Sequence, residues 1–105
     1  MLFYVQMKWN YQGRISQDDL WTIEAKEGDH AQSQQGQTKD PVKVVCIYKV
    51  ASQHRVIAIV DVNSADALDR NSMGVLPMKE YLEFEQVWAL RDYDVFMEDV
   101  KKGFK

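Results

Sequence analysis

Glu27 and His30 stand three residues apart in the stretch 17–31, a spacing that puts both on one face of a helix. A carboxylate on a helix face that meets a sheet loses part of its water shell. Its pKa then rises, and it becomes a usable base near neutral pH. The bland alternative is a helix rotated slightly, with Glu27 solvated on its flank, because buried unpaired glutamates are rare. A Glu-x-x-His pair also ligates metal in helical bundles, but those sites draw further carboxylates from other helices. No second Glu-x-x-His occurs in the 105 residues, and no metal is expected. Lys49 and Arg55 flank a hairpin turn, where they could meet an anionic substrate or simply guard a sheet edge. His54, in the turn itself, reads as solvent-exposed. Cys46 is the only cysteine; it excludes an intrachain disulfide and reads as a small core hydrophobe on a strand. The glycines are scattered, with no loop to cradle phosphates, so no cofactor is expected.

These side chains need a scaffold, and the pattern of the chain supplies one. Residues 1–9 alternate as a strand does, with Phe3, Val5, Met7 and Trp9 on one face and Leu2, Tyr4, Gln6 and Lys8 on the other. Gly13 suits a turn at 10–13. Ser16 sits where an N-cap would be, with Asp18 and Asp19 in the first turn of a helix. Leu20, Ile23, Glu27, His30 and Ala31 then form one stripe. Gly28 weakens that helix by about 1 kcal/mol and leaves room for a close neighbour. Residues 31–41 read as an exposed loop. Strands follow at 42–50 and 55–62, both rich in β-branched residues, the second buried on both faces and therefore central. Asn63 or Ser64 caps a short helix from Ala65 to about Met73 that buries Leu68, Ala65 and Ser72. Gly74 and Pro77 end it. A fourth strand spans 81–90, with Leu82, Phe84, Trp88 and Leu90 on one face and Tyr81, Glu83, Glu85 and Val87 on the other. The tail, 92–105, has helical spacing at Phe96 and Val100, with Phe104 beyond. The order β-α-β-β-α-β plus a tail is the α+β, ferredoxin-like arrangement, a four-stranded antiparallel sheet in a single domain over residues 1–105.

Composition narrows the function. A net charge of −3 and the absence of a basic stripe exclude nucleic-acid binding as the leading class. No apolar run approaches the roughly 20 residues of a membrane span, and the N-terminus reads at once as a strand, so a cytoplasmic protein without membrane contact is expected. Two helices cover one side of such a sheet. The other side would show Tyr4, Gln6, Tyr81 and Glu83 together with apolar residues of the middle strands, a patch that a second subunit would cover. Three Trp and five Tyr exceed what a small core needs.

The segment Met1-Leu2-Phe3-x-Val5-x-Met7 resembles the start of the muconolactone delta-isomerases. The resemblance continues through Ala25-Lys26-Glu27 with Ala31-Gln32, then Asp61-Val62-x-Ser64 with Leu68, and Leu76-Pro77 with Tyr81. The segments come in family order and reach about Leu90. The resemblance implies a dimeric α+β barrel, larger homo-oligomers, and acid–base isomerisation of a small unsaturated lactone or related carbonyl acid, as in aromatic catabolism. Glu27 falls on the family's helix-one glutamate and Lys49 on an arginine. Tyr4 replaces a histidine, and Lys79-Glu80 replace a Phe-Pro.

On this resemblance Glu27 and Tyr4 are the expected catalytic pair, proton shuttle and dienolate donor. Lys49, His30 and Tyr81 are the expected substrate contacts, with Lys49 the anion anchor. The competing expectations are a non-catalytic oligomeric binding or stress-associated domain, and a cofactor-free oxygenase on the same fold. A desolvated Glu27 lining a cavity would favour an enzyme, and a surface Glu27 over a collapsed cavity the binding domain. The uncovered sheet face predicts at least a dimer by light scattering at micromolar concentration. A clean 12.3 kDa species would contradict it.

Overall fold

The computed structural model describes residues 1–33 and 41–105, the side chains of 30–33 excepted. The elements are β1 (Leu2–Trp9), α1 (Gln17–Ser33), β2 (Val42–Lys49), β3 (Arg55–Val62), α2 (Ala65–Arg70), β4 (Leu82–Leu90) and α3 (Tyr93–Lys101), with a π-helical turn, Asn71–Val75, continuing α2. The sheet runs β2-β3-β1-β4, every neighbour antiparallel. This is the ferredoxin-like order, with the first and third strands central. The loop expected at 31–41 lies largely outside the described residues.

Local chemistry explains the boundaries. The Ser16 hydroxyl accepts the Asp19 amide at 3.1 Å and opens α1, and the Ser64 hydroxyl does the same for Ala67 at 3.1 Å in α2, each satisfying a helix-end donor. Gly13 sits at φ +78° in the turn after β1, a conformation that costs glycine little. A Cβ at Gly28, by contrast, would meet nothing within 4 Å, so no close approach explains that residue. In α2 it is Ala67, not Ala65, that is buried, while Ser72 is buried as expected.

The covered face of the sheet holds the core. Phe3, Val5, Ala58, Val60 and Val62 form one buried cluster; Trp9, Leu20 and Met78 form a second, in which α1 and the turn before β4 meet β1. Leu20 and Met78 are fully buried.

The faces of β4 differ from the alternation read in the sequence. Gln6 pairs with Gln86 but Met7 pairs with Phe84, so Glu85 is an extra residue in a β-bulge. Past the bulge the alternation inverts. Leu82, Phe84, Val87 and Ala89 line up with the covered side of β1, and Glu83, Gln86, Trp88 and Leu90 with the open side. Trp88 consequently stacks on Tyr4, ring centroids 5.2 Å apart. The bulge also aims Glu85 at Arg55, which grips it through Nε at 2.9 Å and Nη2 at 3.1 Å, while Gln6 donates to it at 3.3 Å. A second bulge, at Val45, sets Cys46 opposite Ile59. The cysteine is therefore half-buried on the open face rather than in the core.

The tail forms α3, capped by Asp92, whose side chain accepts the Asp94 amide at 2.8 Å, and tied to β4 by an Arg91–Asp99 ion pair. Within one chain no residue of α3 is buried. Phe96 touches Tyr93 and Phe104, but Val100 and Phe104 are exposed, so within one chain the sheet does not cover the tail.

Leu20 seals α1 to the sheet. Leu20→Ala should therefore destabilise the fold by ~2–5 kcal/mol in chemical denaturation. A loss well below that range would mean that α1 is held some other way.

Candidate active site: two carboxyls in an apolar cavity

A cavity of about 110 Å³ lies between α1, the covered face of the sheet and the π-helical turn. Its wall is apolar over most of its extent: Val5 and Met7 from β1, Val56, Ala58 and Val60 from β3, Leu82 and Phe84 from β4. Among the described residues, four polar side chains interrupt that wall, Glu24 and Glu27 from α1, Asn71 and Ser72 from the π-helical turn.

Among the described residues, each glutamate is held by one neutral donor. The Met78 amide donates to Glu27 Oε2 at 2.9 Å. It is presented by a tight turn in which the amides of Tyr81 and Leu82 both bond the Met78 carbonyl, at 2.8 and 3.0 Å, with the Met78 side chain anchored in the second cluster. The indole Nε1 of Trp9 donates to Glu24 Oε2 at 3.2 Å, its ring fixed edge-on against Trp21 at 5.1 Å.

Burial sets the charge states. It raises the pKa of Glu27, and the Met78 amide opposes that rise by favouring the anion. Glu24 is pushed up to about 7, first by burial and then by the negative charge of Glu27, with the Trp9 hydrogen bond pulling weakly the other way. The charge of Glu27 thus favours the neutral form of Glu24, which keeps its proton toward neutrality. Pairs of carboxyls whose environments split their pKa values are how one site holds an acid and a base together.

Glu27 thus stands on the cavity wall, as its place on the α1 stripe suggested. Tyr4 does not join it. Its side chain lies on the open face of the sheet, stacked on Trp88 and donating to Gln6 Oε1 at 3.1 Å, because β1 alternates and Val5 takes the cavity side. Lys49 ends β2 opposite Val56, on the covered side, but is exposed and outside the cavity wall. Tyr81 is half-buried in the second cluster with the Arg14 guanidinium 4.4 Å over its ring. The side chain of His30 lies outside the described residues. His54 is half-buried rather than exposed; its Nε2 lies 3.1 Å from the Tyr11 hydroxyl and 2.9 Å from Gln17 Oε1, and its ring stacks on Trp21.

Glu24 was missed in the sequence. It falls four residues after Leu20 and three before Glu27, so the helical stripe could have included it.

A ferredoxin-like sheet with an apolar cavity on its covered face, lined by two carboxyls whose pKa values are raised, is the arrangement the structure defines. The sequence profile of the muconolactone delta-isomerases matches residues 1–95, and the chain belongs to that family. Its fold is similar to the crystal structure of muconolactone isomerase, with a TM-score of 0.68 and 24% identity over 88% of this chain and 90% of that one. Among curated protein sequences none matches.

The raised pair carries a signature in stability. Between the ordinary carboxyl value of 4.5 and about 7 the folded state holds more protons than the unfolded chain, so the contribution of Glu24 is full below that window and is lost as pH rises through it. Thermal melts across pH should show Glu24→Gln gaining on the parent protein through this window. A difference that stays constant with pH would refute the assignment.

Proposed function

We infer that this protein is an isomerase that shifts a proton, and with it a carbon–carbon double bond, within a small unsaturated lactone or related carbonyl acid. The observation that supports the reading best is Glu27 in an apolar cavity, its pKa raised by burial and its anion favoured by the Met78 amide. A surface Glu27 over a closed core would have favoured a binding domain.

The chemistry follows from that geometry. The Glu27 carboxylate takes the proton from the γ carbon of an α,β-unsaturated lactone. The C–H electron pair becomes the β,γ double bond, and the former α,β pair moves onto the carbonyl as a dienolate. The protonated Glu27 then returns its proton to the α carbon, and the double bond has moved. The apolar wall excludes water that would otherwise quench the dienolate. Lys49, exposed on the covered side opposite Val56, is the cation this reading assigns to an anionic group of the substrate. Tyr81 acts through the wall it packs against.

The same reading includes a homo-oligomer. Tyr48 and Trp88 are exposed on the open face and Val100 and Phe104 on the tail, apolar surface of the kind that a second copy covers. No helix among the described residues is long and apolar enough to cross a membrane.

Proton NMR in heavy water tests the chemistry, with muconolactone and α-angelica lactone as probes. The parent protein should exchange or isomerise at least one of them, and Glu27→Gln should lower the rate by ~10²–10⁴-fold while leaving the fold intact. A Glu27→Gln rate equal to that of the parent protein would remove Glu27 from the mechanism.

A further inference from the structure

A dienolate needs a hydrogen-bond donor at its oxygen as much as it needs a base, and Tyr4 lies on the wrong face of the sheet to be that donor. We propose that Glu24 is a second catalytic residue, a neutral carboxylic acid on the cavity wall that donates its proton in a hydrogen bond to the dienolate oxygen. The proposal rests on the isomerase reading of the same cavity.

Three observations carry it. Glu24 lines the cavity one helical turn from Glu27, so both can address one small molecule. Its Oε2 is already occupied as an acceptor by the Trp9 indole; this fixes the carboxyl and leaves Oε1 as the oxygen to carry the proton. Among the described residues, the polar groups that line the cavity with it from other elements are the Trp9 indole of β1 and Asn71 and Ser72 of the π-helical turn, all uncharged. Glu27 is the charge that acts on it, and that charge favours the neutral acid.

The proton balance closes without any co-reactant. Glu27 takes the γ proton and returns it to the α carbon. Glu24 shares its own proton with the oxygen while negative charge resides there, and keeps it when the charge leaves. A carboxylic acid held neutral by an apolar site is a strong donor to an oxyanion, and it loses that ability once it ionises. Activity should therefore need Glu27 ionised and Glu24 protonated.

Two measurements on the full-length protein test the assignment. With the lactone probes, Glu24→Ala should lower kcat by ~10²–10³-fold, the usual effect of removing one oxyanion donor. Glu24→Gln, which keeps an N–H donor, should retain more of the rate and lose the alkaline fall that the parent protein shows above about 7. A merely structural role would leave the pH profile in place. Independently of turnover, the binding of tetronate, whose lactone-ring oxyanion is built like the dienolate, should weaken in the parent protein as pH rises through that value. It should weaken by ~10–100-fold in Glu24→Ala. A parent protein inert to both lactones would overturn the isomerase reading, and tetronate binding would still decide on Glu24. Tetronate affinity that ignores both pH and Glu24→Ala overturns the proposal, as does an alkaline limb that survives in Glu24→Gln.

Discussion

The hydrogen bond from the Met78 amide to Glu27 is the contact on which the site depends. A carboxylate facing an apolar cavity is costly unless a donor meets it, and here the donor is a backbone group that cannot rotate away. The bond also joins α1 to the turn before β4, the two elements whose buried residues, Leu20 and Met78, complete the second core cluster. Structure and chemistry therefore share one constraint. Moving the turn would leave the anion without its donor, and removing the anion would leave a buried amide unpaired.

The second glutamate follows from the first. With Glu27 ionised on the same wall, a half-buried carboxyl one turn away has every reason to keep its proton, and Trp9 supplies only one weak donor against that tendency. The two carboxyls thus meet two neutral donors, the Trp9 indole and the Met78 amide, on one apolar wall. Lys49 stands exposed on the covered side of the sheet, outside that wall.

Much of the scaffold was legible in the sequence because period and capping agree there. The β1 alternation, the Ser16 and Ser64 caps, and the β-branched β3 all point to one fold, and the family resemblance covers the same span. What was not legible is what a bulge hides. Glu85 inserts one residue into β4 and so moves Trp88 to the open face and Val87 to the covered one, and nothing in a strictly alternating reading marks that insertion. Glu27 was legible from its stripe. Tyr4 lies on the open face and not beside Glu27; a resemblance aligns positions without saying which face a neighbour shares, although the β1 alternation already separated Tyr4 from Val5. Glu24 was overlooked because charged residues at helix spacing are usually solvated, and only the indole of Trp9 and the cavity reveal that this one is not. The tail is the converse case: its helical period was legible, but amphipathic spacing does not say where the apolar face goes, and within one chain it goes to solvent.

The most direct measurement of the central claim is a carboxyl-carbon NMR titration of protein labelled at glutamate, with Glu24→Gln and Glu27→Gln to assign the signals. Two separated transitions are predicted, Glu27 ionising first and Glu24 near 7, with the Glu24 transition moving down in Glu27→Gln because the charge that holds its proton is gone. If both carbons titrate together at the ordinary 4.5, the cavity does not hold an acid and a base, and the account of the site is wrong.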